Sequence, residues 1–362
     1  MNHASIGLSK WEIDTPALCL DLGALDRNIA RMASSMSEGT ARVRPHAKTH
    51  KSPAIAWRQI RAGAIGITCA KLGEAEVMAQ AGIRDILIAN QVIGRHKISR
   101  LMGLAADTDV MVAVEALDNA QALSEAAHSL GVRLRVLIEV DTGMGRCGVL
   151  PGDETLGLAR AVSRLPGLRL EGLMGYEGHA VMLTDPEKRK AATHQALSRL
   201  IASRDALLQD GIPVPIVSAG GSGTYSITGR YPGITEVQAG SYVTMDTRYR
   251  TVIPEFEQAL TVVAQVISVR GDRAVIDAGL KTLTPEFGTP EVCVPEGWSL
   301  DHQSKEHSTL SRMGGHTLKP GDRVEIVPSH GCTTINLHDV YHVMEGERLV
   351  ALWPIACRGK VQ

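Results

Sequence analysis

The chain has 362 residues, with 38 Lys and Arg against 39 Asp and Glu and a formal net charge of -1. That balance does not suggest a nucleic-acid groove or an anionic membrane surface as the partner, and only two Phe in the chain argue against a base-stacking platform. The length suits one large barrel or two domains.

The six cysteines (Cys19, Cys69, Cys147, Cys293, Cys332 and Cys357) are scattered and form no Cys-x-x-Cys pair. They read as reduced thiols of a cytoplasmic protein rather than as a disulfide framework. The opening Met1-Asn2-His3-Ala4 carries no basic-then-apolar leader pattern, and no apolar run is long enough to span a bilayer.

In chain order, eight short apolar or β-branched runs end near Arg44, Cys69, Asn90, Val114, Val140, Tyr176, Ala219 and Val243. Segments with helical spacing lie between them, such as Ala54 to Ile60 and Glu74 to Met78. Strand and helix alternating in this way predict a parallel α/β architecture. Eight repeats favour a closed (β/α)8 TIM barrel over a doubly wound sheet. After about Tyr249 the pattern changes. Leu260 to Val266, Arg273 to Asp277 and Arg323 to Val327 follow one another with turn residues between, which predicts a second, all-β domain without a good helix.

The unusual polar residues fall at the ends of the barrel runs, where such barrels collect their chemistry. Lys48 lies in Arg44-Pro45-His46-Ala47-Lys48-Thr49-His50-Lys51, just past the first run. An amine at such a strand mouth can be partly desolvated and its pKa lowered, which lets it form an imine with a carbonyl cofactor. By itself it reads as a surface charge; the other strand ends change that. Asp141-Thr142-Gly143-Met144-Gly145-Arg146 follows the fifth run, and Tyr176-Glu177-Gly178-His179 the sixth. Ala219-Gly220-Gly221-Ser222-Gly223-Thr224 follows the seventh, and Gln238-Ala239-Gly240-Ser241-Tyr242 belongs to the eighth or its end. Glycines let backbone N–H groups approach an anion, and Ser222 and Thr224 add hydroxyls. Arg146, flanked by glycines, is placed to donate to an anionic ring oxygen.

A second cluster runs from Val327 to Asp339 and contains His330-Gly331-Cys332. On an extended segment His330 and Cys332, two apart, face the same way. Imidazole plus thiolate suits Zn2+, and two ligands leave a site open to water or substrate. The competing reading is a core cysteine beside a hydrogen-bonded histidine.

With these pieces assembled, the chain resembles the D-threonine aldolase and D-serine dehydratase family of alanine-racemase-like fold. The likeness runs from Asp14-Thr15-Pro16-Ala17 to Ala356-Cys357-Arg358-Gly359. It is most specific over Arg44 to Lys51, Glu139 to Gly148, Gln238 to Tyr242 and Ser329 to Asp339. The resemblance implies a barrel over residues 24–250 and a β-domain from residues 1–23 plus 251–362, with the strand around Ala17 to Leu22 joining the latter. It implies pyridoxal 5'-phosphate held on Lys48, with Arg146 at the ring hydroxyl oxygen and Tyr176 lining the ring pocket. Gly221, Ser222, Gly223 and Thr224 would cradle the phosphate, with Gly240 and Ser241 nearby. Gln238 falls where the racemases place an arginine against the pyridine nitrogen, and Glu139 replaces a racemase lysine. His330 and Cys332 would hold a divalent cation, zinc or manganese. A homodimer and a small D-3-hydroxy amino acid as substrate are also implied, with no nucleic-acid or membrane partner.

The chain departs from the family pattern twice. Members often carry a histidine after the pocket tyrosine; here the residue is Glu177, and His179 is the substitute acid–base candidate. Aldolases commonly show His-x-Asp at the metal site and dehydratases His-x-Cys, whereas Cys332 here sits among residues that look more like the aldolases. The expected reaction is retro-aldol cleavage to glycine and an aldehyde, with loss of ammonia to a keto acid as the alternative. Two other functions compete. A cofactor carrier would have no need of residues 250–362, and a racemase would need a tyrosine base from the β-domain, where Tyr341 is the only tyrosine.

Overall fold

The structure, a computed structural model, describes residues 5–37 and 39–362. The leader reading on Met1 to Ala4 lies outside the described residues. Two compact units emerge: one from Met1–Arg31, Thr49–Ala54 and Ser241–Gly359, the other from Met32–Lys48, Ile55–Gly240 and Lys360–Gln362.

The first strand, β1 (Ala17–Asp21), belongs to the former unit. The latter holds eight parallel strands: β2 (Arg42–Val43), β3 (Ile67–Cys69), β4 (Asp85–Gln91), β5 (Asp109–Val114), β6 (Leu134–Glu139), β7 (Leu168–Met174), β8 (Ile216–Ala219) and β9 (Glu236–Val237). Their order is β2-β9-β8-β7-β6-β5-β4-β3. The remaining seam, β2 to β3, is closed by a parallel bridge between His46 and Thr68: Ala47 N donates to Thr68 O and Thr68 N to Pro45 O, both at 2.8 Å. The ring is therefore complete, as the eight runs predict. β5 and β6 are mostly buried apolar residues because helices cover a parallel sheet. Leu87, Met111, Ala113, Leu137 and Met174 form one of its buried clusters.

The helices follow the sequence signals. Ala54 to Ile60 lies in the helix Pro53–Arg61, and Glu74 to Met78 in the helix Leu72–Gln80. The longest, Pro186–Gln209, starts with Pro at its first position, and Asp185 Oδ1 accepts from Glu187 N (3.0 Å) and Lys188 N (3.1 Å). That cap satisfies donors a helix start leaves open.

The eighth run was expected to reach Val243, but β9 stops at Val237, and Ser241–Val243 is a single 3-10 turn. Gln238 N and His46 N still make strand-like bonds, to Ala219 O and with Ala239 O. Beyond Gly240 the backbone bonds locally instead, Met245 N donating to Ser241 O at 2.9 Å. Apolarity continues through Tyr242 and Val243 because both are buried, which a hydrophobic run reports and a strand assignment misreads.

The other unit carries a nine-stranded sheet. β1 pairs antiparallel with β10 (Leu260–Arg270) and parallel with the strand Val340–Glu345. The strands Arg273–Ile276, Glu291–Val294, Trp298–Gln303, Ser308–Arg312, Arg323–Val327 and Arg348–Pro354 complete it. Ile13, Ala17, Cys19, Val263, Met344 and Leu349 pack as one of its cores. Beyond Leu260 a short helix, Gly331–Ile335, interrupts the β pattern. Among the described residues no helix is long and apolar enough to cross a membrane.

Candidate active site

Tyr176, just past β7, is the hub of the barrel unit's polar residues. Lys48 Nζ lies 5.7 Å from its ring centroid and the Arg146 guanidinium carbon 5.8 Å from it. Two exposed cations flanking one aromatic face create a positive field suited to a flat anionic ligand. Lys48 sits where the chain leaves β2, and its own N–H donates to His46 Nδ1 at 3.4 Å.

Arg146 is held by the loop after β6. Asp141 Oδ1 accepts from Gly143 N (2.9 Å) and Gly145 N (3.1 Å). Burial opposes ionisation of Asp141, but these backbone bonds outweigh it and hold the carboxyl below its ordinary value. Glu139, at the end of β6, behaves oppositely. Burial pushes its carboxyl up against the pull of Gln91 and Arg146, and Glu115 and Asp141 add to the rise.

The glycine run after β8 packs against the same tyrosine. A Cβ on Gly221 would come within 3.2 Å of Tyr176 Cε2, and one on Gly223 within 2.0 Å of the Val181 carbonyl oxygen. No larger residue fits at 223 without moving backbone, so the run is more than a generic turn. Ser222 Oγ accepts from Gly240 N at 3.2 Å, and Gln238 Nε2 donates to Ser218 Oγ at 2.9 Å. Thr224, expected to offer its hydroxyl to a phosphate, instead donates it to Glu177 Oε1 at 2.7 Å. His179 is exposed, with its ring beside Gly143.

The barrel unit therefore brings Lys48, Arg146 and Gly221 to Tyr176, with Ser222, Gly223 and Thr224 following in the same loop and Gly240 bonded to Ser222. An amine, a guanidinium, an aromatic wall and a close-packed glycine loop form a donor set that fits pyridoxal phosphate.

The other unit holds His330, Cys332 and Ser241. The extended i, i+2 geometry expected for the pair is corrected by the structure. His330 has extended backbone (φ -141, ψ 123), but Cys332 already lies in the first turn of Gly331–Ile335. Gly331 N donates to Asp246 Oδ2 at 3.0 Å, and His330 Nδ1 meets the same oxygen at 3.0 Å. Burial pushes the His330 imidazole down, yet Asp246 and Cys332 outweigh it and raise its pKa to about 10. With Nδ1 engaged, Nε2 is the nitrogen left to bind a cation. The Cys332 thiol donates to Thr49 Oγ1 at 3.3 Å and has Ser241 Oγ at 3.8 Å; Thr49 is the residue after Lys48 in the chain. The ring of Phe287 lies 4.2 Å from that of His330, centroid to centroid. Among the described residues no group of three His, Cys, Asp or Glu gathers around a metal position. Two protein ligands with a carboxylate behind one of them fit an open site, completed by water or substrate.

Asp246 has no signal in the sequence, since a lone Asp in Thr244-Met245-Asp246-Thr247 matches no metal pattern. Tyr341, the racemase-base candidate, donates its hydroxyl to His50 O at 2.7 Å, and burial pushes its pKa well above the ordinary value. It is not available as a base.

Comparison with known proteins bears on the family and the fold. The family described as "Alanine racemase, N-terminal domain" matches residues 20–248, and "Putative serine dehydratase domain" matches residues 259–344. A D-threonine aldolase from Arthrobacter sp. is 37% identical over 354 residues, which cover 96% of this chain and 93% of that protein. This chain belongs to the D-threonine aldolase and D-serine dehydratase family. The crystal structure of D-threonine aldolase from Filomicrobium marinum is 38% identical with a TM-score of 0.96, over 99% of each chain. D-threo-3-hydroxyaspartate dehydratase from Delftia sp. HT23 is 31% identical with a TM-score of 0.89, over 96% of this chain and 98% of that one. The family is one of pyridoxal-phosphate-dependent lyases of alanine-racemase-like fold.

Proposed function

We propose that the protein is a lyase of the D-threonine aldolase type, cleaving a D-3-hydroxy amino acid to glycine and an aldehyde. Lys48 would carry pyridoxal phosphate, and His330 and Cys332 a divalent cation, zinc or manganese. The observation that carries this reading is the grouping of Lys48 and Arg146 around Tyr176 beside the 220–224 loop. The 38% identity to a D-threonine aldolase structure, against 31% to the D-threo-3-hydroxyaspartate dehydratase structure, supports it.

Pyridoxal phosphate supplies an electron sink for the bond broken at the substrate α-carbon, and a divalent cation supplies Lewis acidity to a β-hydroxyl. The chain's own residues do the rest. Arg146 neutralises negative charge on the ring oxygen. Gln238 would offer a neutral amide to the pyridine nitrogen, which would not protonate it as an Asp does. Asp246 fixes the His330 ring and keeps the proton on Nδ1. In the aldolase reading His179 would be the base that takes the β-hydroxyl proton; in the dehydratase reading the Lys48 amine would take the α-proton.

Cys332 favours one second reading, the dehydratase, because the resemblance associates a His-x-Cys pair with that reaction. Incubation with D-threonine, D-serine and D-3-hydroxyaspartate, with and without chelator, separates the two. Glycine plus an aldehyde supports the aldolase, and a keto acid plus ammonia the dehydratase. Turnover that ignores the chelator removes the cation from the reaction. The reading carries with it a homodimer in the cytoplasm.

A further inference from the structure

Glu177 is fully buried in the barrel unit, at the start of the short turn Gly178–Val181. Its carboxylate accepts three hydrogen bonds. Thr224 and Thr228 hydroxyls donate to Oε1, each at 2.7 Å, and Gly220 N donates to Oε2 at 3.2 Å. One carboxylate thus ties down both ends of the glycine loop and the helical turn that follows it. Thr224 passes the constraint inward: its oxygen also accepts from Gly221 N at 3.2 Å. Gly220 itself is at φ +88, and a Cβ there would come within 3.1 Å of Thr228 Cγ2. No side chain other than a carboxylate offers acceptors on both oxygens, so three buried donors depend on this one residue.

We propose that Glu177 is a positioning residue for the cofactor's phosphate: a buried brace that sets the 220–224 loop in its anion-binding shape from behind. It touches neither cofactor nor substrate. The inference rests on the reading of this loop as the phosphate site.

In Glu177→Gln the amide NH2 must face either Gly220 N–H or a threonine hydroxyl. Facing Gly220 it sets donor against donor, and facing the threonines it takes away the acceptor both hydroxyls use; either way an unsatisfied buried donor costs enough to loosen the loop. The pyridine ring and the aldehyde end of the cofactor are untouched by this change. The test is therefore a comparison of two ligands on protein stripped of cofactor: pyridoxal 5'-phosphate, and pyridoxal, which lacks the phosphate. Wild type is expected to bind the phosphorylated form more tightly. Glu177→Gln should weaken pyridoxal phosphate by roughly five- to 150-fold while leaving pyridoxal unchanged. A milder pair guards against a misfolded variant. Thr228→Val should weaken only pyridoxal phosphate, by roughly two- to tenfold, and Thr228→Ser, which keeps the hydroxyl, should restore it. If wild type shows no phosphate-dependent advantage, the cofactor-site reading itself falls. If wild type shows one and both Glu177→Gln and Thr228→Val keep it in full, the brace is refuted. Equal loss of both ligands with a lowered Tm also refutes it, because the residue then merely supports the fold.

Discussion

Replacing Asp246 by Asn tests whether the His330 ring is held for a cation. The Asp246 side chain is 1% exposed and accepts three hydrogen bonds: from Tyr249 N at 2.7 Å, Gly331 N at 3.0 Å and His330 Nδ1 at 3.0 Å. Asn has one accepting oxygen. If that oxygen stays on Tyr249, the amide NH2 faces Gly331 N–H, leaving a buried donor unsatisfied at a cost of about 1–3 kcal/mol. The same NH2 forces His330 Nδ1 to accept, so the proton moves to Nε2 and blocks the nitrogen meant for the cation. If the amide turns over, Tyr249 N–H loses its acceptor at similar cost. In both orientations the ring loses its charged anchor, and loss of such a partner typically lowers metal affinity by about 10- to 100-fold. Competition between the protein and a chromogenic chelator for Zn2+ measures the affinity, and thermal melts of metal-free and zinc-loaded protein separate the stability component. Wild-type zinc affinity in Asp246→Asn would refute the reasoning, because the carboxylate behind His330 would then contribute nothing to holding a cation there.

Lys48→Ala should abolish both the visible absorbance of bound pyridoxal phosphate and turnover, with little change in Tm because Lys48 is exposed; persistence of the absorbance would remove Lys48 from its role. Arg44→Met should destabilise the barrel by about 3–5 kcal/mol in denaturant titrations. Arg44 is 2% exposed and pairs through two nitrogens with Glu236, itself 5% exposed, whose charge would be left buried and alone; a loss below about 1 kcal/mol would mean that water reaches it. Glu139 has its folded-state pKa raised by burial above the ordinary 4.5. The folded protein thus keeps this proton to higher pH than the unfolded chain, and the associated stability is lost as pH rises from about 4.5 through the folded value. Glu139→Gln should remove that loss, so its Tm relative to wild type climbs with pH; parallel Tm curves across that range would show that the carboxyl ionises at no cost.

What the sequence determined by itself is local. Strand and helix periods are set by neighbours a few residues apart, so the alternation, the closed eight-fold ring and the change to β structure after the barrel were legible. Turn chemistry is local too, which is why Lys48, Arg146, Tyr176 and the 220–224 glycines could be marked at strand ends. Only the tertiary structure decided which of these side chains meet, and what holds them. Asp246 reaches His330 across 84 residues of chain, and Glu177 reaches Thr224 across 47. Neither pairing leaves a periodic trace, because a carboxylate's partner is chosen by the fold that brings it there. The same holds for Cys332, whose helical turn depends on Asp246 receiving Gly331 N–H. Thr224 shows the limit most plainly: its residue type marks a polar loop, but its hydroxyl's partner, the buried carboxylate of Glu177, is set only by the fold.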